Sequence, residues 1–243
     1  METYVISLKR SASRRSSFEA RNPHLQFKYF DAIDGSQYPP ETMLGKGVFS
    51  PGLPYTAGAY GCALSHLSLW AKAIESQVAL TIAEDDAVFR SDFHEAQNRL
   101  LASIAGEWDI IVWAWNFDSI LSLNIMPGIS TVVASFNQRQ MRSAVDNFVS
   151  SRETPALLKL DKCFGTPAYS ISPIGAERLM SLCVPFDNYS VFFPGLNRAL
   201  PNNGIDIALN RYYPSVNSFV CLPPLAVTKN EHEISTVQQF THV

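Results

Sequence analysis

No apolar run in these 243 residues approaches the about 20 consecutive positions that a membrane-spanning helix needs. The opening Met1-Glu2-Thr3-Tyr4 passes straight into a short strand-like segment and lacks the apolar region of a signal peptide. The expected location is therefore cytoplasmic, with at most peripheral contact at the inner face of the cytoplasmic membrane. Positive charge is not in surplus either. Nineteen Lys and Arg stand against 22 Asp and Glu, a net charge of −3, which argues against a nucleic-acid partner held by phosphate neutralisation. The four cysteines, Cys62, Cys163, Cys183 and Cys221, are scattered singly, so there is no disulfide framework. Cys62 and Cys163 are read as having no histidine at metal-ligand spacing, which argues against zinc. Also absent are a Gly-x-Ser-x-Gly elbow, a Walker-type loop and a dinucleotide glycine fingerprint, so hydrolase and dinucleotide readings lose support.

What is present is enough to fold. With 47% hydrophobic and 17% charged residues the chain can bury a core, and its length suits one α/β domain. Tyr4 to Leu8 is a β-branched apolar run that stops at Lys9-Arg10, and a polar helix is expected from Ser11 to Arg21. Phe27 to Phe30 predicts a second strand ending near Asp34, where Asp34-Gly35 signals a turn. Ser36 to Gly58 is rich in Pro and Gly and is expected to be a long functional loop, a candidate lid. Ala63, Leu67, Trp70 and Ile74 recur at helical spacing within Gly61 to Ser76. Val78 to Ala83 reads as a strand covered on both faces, and Asp92 with Glu95 has capping-box spacing at the head of another helix. Asp109 to Trp115 is a buried strand. Asn116 to Lys162 shows no clear period beyond a helix around Arg139 to Val149. A strand at Gly165 to Ser172, a helix opened by Pro173, a short helix at Asp206 to Tyr213 and a strand at Ser218 to Leu222 complete the pattern. Strands alternating with helices predict a mostly parallel, Rossmann-like sheet flanked by helices, with ligands bound beyond the carboxyl ends of its strands.

Glu84-Asp85-Asp86 follows the apolar strand at once, and adjacent like charges there call for a cation or basic partners. Carboxylate oxygens suit Mn²⁺ or Mg²⁺. Strand alternation sends Glu84 and Asp86 to one side, toward a metal, and Asp85 to the other, toward a sugar hydroxyl. Upstream, Gly61 to His66 is expected to open a helix whose free N–H groups face an anion, with Ser65 and His66 in reach of a nucleotide or sugar. His66 also lies beside Ala63 and Trp70 on the buried stripe, so a core histidine remains open. Among the basic residues after the first strand, Arg10 is the best placed to meet a diphosphate, while Arg14 and Arg15 read equally well as a solvated helix face.

Taken in order, Val5 to Arg10 with Arg14-Arg15, Phe30 to Gly35, Gly61 to His66 with Trp70, and Glu84-Asp85-Asp86 resemble glycosyltransferase family 25. That group includes lipooligosaccharide and collagen galactosyltransferases. The match is strong over about the first ninety residues and continues more faintly at Gly165-Thr166, Ala168-Tyr169, Gly175-Ala176 and Asp206. The resemblance implies a GT-A-type fold, a UDP-sugar donor, usually UDP-galactose, a glycan or glycolipid acceptor and inversion at the anomeric carbon. It places Ser7, Leu8, Arg10, Ile33, Asp34 and Gly35 at the nucleotide, with Gly165 and Thr166 on the donor side. Glu84 and Asp86 fall on the metal motif, and His232 would complete the metal shell. On this reading residues 1–115 form the nucleotide-sugar half of a single domain spanning 1–243, and 116–243 the acceptor half with a polar tail. The family commonly has an acidic residue two positions before its Gly-Cys pair, and Ala59 stands there instead.

An inverting transfer needs a base for the acceptor hydroxyl and neutralisation of the leaving diphosphate. Asp206 is the candidate base, with helix capping as its structural alternative, and Asp187 is held in reserve. The rival from another class is a transferase-like domain, weakly active or inactive, that binds a nucleotide-sugar or glycan. A nucleotidyltransferase would need a glycine-rich, lysine-bearing phosphate loop that the N-terminus lacks.

Overall fold

The computed structural model describes residues 1–38, 42, 44 and 47–229; His232 and the middle of the candidate lid lie outside them. Its centre is a nine-stranded sheet in the order β2-β1-β3-β9-β5-β12-β8-β6-β7. The strands are β1 (Glu2–Ser7), β2 (Lys28–Asp31), β3 (Leu80–Glu84), β5 (Ile110–Ala114), β6 (Ile120–Met126), β7 (Ser130–Ser135), β8 (Ala156–Lys162), β9 (Ala168–Ile171) and β12 (Ser218–Leu222). β1 pairs in parallel with both β2 and β3, and β5 with β12, whereas β9 runs antiparallel between β3 and β5. Most strands thus share one direction, and β7, β8 and β9 run against it. The stretch with no readable period contains the β6–β7 hairpin and β8, whose outer strand is largely exposed and so lacks the burial that makes a strand legible.

The strands alternate as a two-faced sheet requires. Tyr4, Ile6, Leu80, Ile82, Ile110 and Val112 pack on one face with the helices α2 (Ala57–Ser76), α6 (Pro173–Cys183) and α7 (Ile205–Tyr212). Val5, Ala83, Ile111 and Trp113 pack on the other with α1 (Ala12–Arg21) and α3 (Phe93–Ser103). Helices α4 (Gln138–Ser143) and α5 (Val145–Ser150) lie between β7 and β8 in sequence. Val145 and Phe148 pack with Val88 and Val227 of the small pair formed by β4 (Ala87–Phe89) and β13 (Ala226–Thr228). A second hairpin, β10 (Ser190–Phe193) with β11 (Arg198–Pro201), precedes α7. Among the described residues no helix is long and apolar enough to cross a membrane.

Three local expectations change. Helix α2 begins at Ala57, where the Thr56 hydroxyl accepts the Ala59 N–H, so Gly61 is a full turn inside it and its N–H does not face an anion. Asp92 makes no capping hydrogen bond because its carboxylate is held by Nε and Nη2 of the buried Arg90, at 3.0 and 2.7 Å. The last part of the candidate lid is anchored: Phe49, Leu53 and Tyr55 are buried, with Phe49 stacked on Phe186 and edge-on to Tyr60.

Candidate active site

Register explains why the acidic turn sits where it does. Ile6 lies opposite Glu84 and Ser7 opposite Asp31, so β1, β2 and β3 end together at one edge. Because β9 runs the other way, with Ala168 opposite Ala83, the residues leading into it arrive at that same edge. There the Glu84 N–H donates to the Pro167 carbonyl at 2.9 Å, and the Thr166 hydroxyl donates to Glu84 Oε1 at 2.7 Å. Next to Thr166, the Gly165 N–H donates to Asp206 Oδ2 at 3.1 Å. Gly165 has φ of +76°, and a Cβ on it would lie 2.4 Å from Asn116 Oδ1, so glycine is required at this position. One dipeptide thus joins a carboxylate of the sheet edge to one in the first turn of α7.

The three acidic residues take different partners. Asp85 is buried: Ser7 Oγ donates to its Oδ2 at 2.6 Å and Arg14 Nε to its Oδ1 at 2.8 Å, with Arg14 Nη2 on the same oxygen. Both Asp85 oxygens are occupied within the protein, and Arg14, expected as readily on a solvated face, is its counter-charge. Asp86 accepts one bond from the Thr228 hydroxyl at 2.9 Å, while its Oδ1 is buried without a hydrogen-bond partner among the described residues. Burial, reinforced by the charge on Glu84, pushes the Asp86 carboxyl up to about 6. Burial also opposes ionisation of Glu84, yet His66, Thr166 and Arg14 together hold its carboxyl below the ordinary value. Burial raises Asp206, and the Glu84 charge adds to it in spite of the Gly165 N–H. A buried carboxyl raised in this way is suited to take a proton.

Arg10 Nε donates to Asp34 Oδ2 at 2.7 Å, with the arginine side chain 59% exposed, so this pair stands at the rim. Arg15 Nη2 reaches the Ser7 carbonyl at 2.8 Å and Asp31 Oδ1 at 2.5 Å, tying β1 to β2 at their last paired residues. The Asp34 turn is fastened to α2 by close backbone approach. A Cβ on Gly61 would lie 2.3 Å from the Ile33 carbonyl oxygen, and one on Gly35 would lie 1.8 Å from that of Ala57. Ser65 is buried in this joint, accepting the Ile33 N–H at 2.9 Å and donating to the Gly61 carbonyl at 2.7 Å. Gly35, Ser36, Gln37, Tyr38, Tyr55 and Tyr60 help line an adjoining cleft of about 770 Å³.

His66 is fully buried. Its Nδ1 lies 2.8 Å from Tyr169 Oη, which also accepts the Trp70 Nε1–H at 2.8 Å. In the sequence Trp70 and Tyr169 enter only through the motifs of the family resemblance, with Trp70 also on the buried stripe of α2, and neither is a predicted site residue. Asp187 is exposed; its carboxylate accepts the Ser50 hydroxyl and its carbonyl the Asn202 side-chain N–H. Leu8 follows the end of β1 at the site edge, where its carbonyl accepts the Ser11 N–H at 2.9 Å.

A family model described as glycosyltransferase family 25 (LPS biosynthesis protein) matches residues 1–190. A glycosyltransferase 25 family member of Drosophila melanogaster is 34% identical over 121 residues, covering 44% of this chain and 20% of its own. One of Anopheles gambiae is 25% identical over 206 residues, covering 76% and 30%. The human inactive glycosyltransferase 25 family member 3 is 33% identical over 124 residues, covering 45% and 21%. The chain thus spans about a fifth to a third of the length of these relatives. Among solved structures, the inositol-1-phosphate CTP transferase from T. maritima aligns over 97% of this chain and 91% of its own at 12% identity, with a TM-score of 0.36.

Proposed function

Since this chain belongs to glycosyltransferase family 25, we propose that it is an inverting hexosyltransferase, with galactose from UDP-galactose as the donor sugar and a lipopolysaccharide-type or other cell-surface glycan as acceptor. One observation carries the reading: three carboxylates, Glu84, Asp86 and Asp206, are gathered at the carboxyl edge of parallel strands, with Gly165-Thr166 bridging Glu84 and Asp206 and Thr228 holding Asp86. Beside them lie the Arg10–Asp34 pair and a cleft with room for a nucleoside.

The site fits a hard divalent cation. Among the described residues Asp86 Oδ1 is buried with no hydrogen bond, and the Glu84 charge opposes its ionisation, which is the local surplus of negative charge that Mn²⁺ or Mg²⁺ would relieve. Asp86 and Glu84 would hold the ion, which when bound supplies charge neutralisation for the donor diphosphate. Arg10, exposed at the rim, exchanges part of its pairing with Asp34 for a phosphate oxygen, and the Asp34-Gly35 turn meets the nucleotide. Asp85 takes a different part, fixing Arg14 and Ser7 so that the acidic turn keeps its shape. Asp206, its carboxyl raised by burial, accepts the proton of the acceptor hydroxyl as that oxygen attacks the anomeric carbon. The Gly165 N–H then steadies the carboxyl in the required orientation.

The test is transfer from a panel of UDP-sugars with Mn²⁺ to lipooligosaccharide fragments, read as free UDP and as product mass. Metal-dependent product from UDP-galactose that is lost in Asp86→Asn is the expected result. Full activity of Asp86→Asn in the presence of EDTA would overturn the metal-dependent reading. UDP-sugar binding without turnover on any glycan would favour an inactive binding protein; the human relative is named inactive.

A further inference from the structure

The scattered cysteines and the lack of a Cys–His spacing on the zinc pattern spoke against a soft-metal site, but the fold supplies one pairing that loop-type spacing rules overlook. Cys62 and His66 are four residues apart on α2, hence on the same face of one helix. That face meets the end of β3, and Cys62 Sγ, a His66 ring nitrogen and a Glu84 carboxylate oxygen all lie within 4.8 Å of one another.

The second observation is the state of His66. Tyr169 Oη accepts the Trp70 N–H and has a second lone pair for the His66 Nδ1–H, the tautomer in which Nε2 keeps a lone pair for a ligand. This arrangement fixes the ring and turns Nε2 toward Glu84. Among the described residues Nε2 is wholly buried without a hydrogen-bond partner, and Glu84 Oε1, at 3.6 Å, is too far for a hydrogen bond. An oriented imidazole with a hydrogen-bonded far nitrogen is the usual arrangement of a metal-bound histidine. Cys62 and Glu84 are only half-buried, so the site can be reached from solvent.

We propose that Cys62, His66 and Glu84 form a binding site for a thiophilic divalent cation of the zinc class. Three protein ligands, one of them sulfur, leave a fourth tetrahedral position for water, the pattern of an exchangeable zinc site. Carboxylate-only ligation at Asp86 suits harder ions, so the two positions differ in chemistry while sharing Glu84. Binding releases the Cys62 thiol proton to solvent, and the cation replaces it as the partner of the sulfur. The sharing of Glu84 with a donor metal rests on the transferase reading; the binding itself does not.

The experiment uses metal alone. Titration of the purified, reduced protein with Co²⁺ is expected to give one equivalent of a sulfur-to-cobalt charge-transfer band that Zn²⁺ displaces. In Cys62→Ser the band is lost and Zn²⁺ affinity falls by more than about tenfold. As a readout in the unmodified chain, Zn²⁺ should slow alkylation of Cys62, mapped by mass spectrometry, while Mg²⁺ does not. Absence of the band, its survival in Cys62→Ser, or alkylation of Cys62 unaffected by Zn²⁺ would each overturn the site. None of these outcomes depends on whether a sugar is transferred.

Discussion

Ser7 donates its hydroxyl to Asp85 across 2.6 Å, joining the last residue of the first strand to the middle of an acidic turn 78 positions later. Arg14 closes the same carboxylate from α1, so the strand, the helix after it and the turn are held at one buried charge. Removing Asp85 should therefore cost more than removing Ser7. Asp85→Ala leaves a partly buried guanidinium without its main counter-charge and is expected to destabilise by about 2–3 kcal/mol, allowing for the solvent that reaches Arg14. Ser7→Ala loses one hydrogen bond to a charged group, about 1.5 kcal/mol. Urea unfolding of both variants and the double variant measures the two costs and their coupling. Equal costs would contradict this account.

Gly61→Ala tests the joint between α2 and the Asp34 turn. In an isolated helix the substitution would stabilise by about 1 kcal/mol. Here the new Cβ would lie 2.3 Å from the Ile33 carbonyl oxygen and 2.7 Å from the Gly35 nitrogen, both backbone atoms that cannot rotate away. A net loss of about 2 kcal/mol is expected in thermal unfolding. A stabilised variant would show that the two segments are not in contact.

Asp34 carries a pH signature. The hydrogen bond from Arg10, then those from Ser36, lower its carboxyl to about 2. A folded value below the unfolded one means that its contribution is fully present above about pH 4 and is lost as pH falls through about 2. Carboxyl chemical shifts followed by NMR should titrate near that value, and Arg10→Gln should move the midpoint up toward the ordinary carboxylate range. A midpoint unchanged by the substitution would separate Arg10 from Asp34 in solution.

Asp206→Asn removes the proposed proton acceptor while keeping a side-chain oxygen for the Gly165 N–H. Turnover should fall by about 10²–10⁴-fold, with binding of UDP unchanged by calorimetry. An unchanged rate would move the role to another carboxylate, with Asp187 the next to test.

The sequence by itself settled the periodic parts. Continuous apolar runs in β1, β3 and β5 and the helical stripe of α2 were legible because burial dictates which positions are apolar. The acidic triplet was legible because adjacent like charges at a strand end are costly without a purpose. The β6–β7 hairpin and β8 were not, since a largely exposed edge leaves little hydrophobic pattern behind. Nor could local spacing reveal pairings made across the sheet. That Arg14 rather than Arg10 answers the triplet, that Gly165-Thr166 bridges Glu84 and Asp206, and that Tyr169 turns His66 toward Glu84 all follow from register and from the reversed direction of β9. Local composition determines which segments become strands and helices; contacts such as these, between residues 41 to 103 positions apart, exist only once the sheet has set which strand lies beside which.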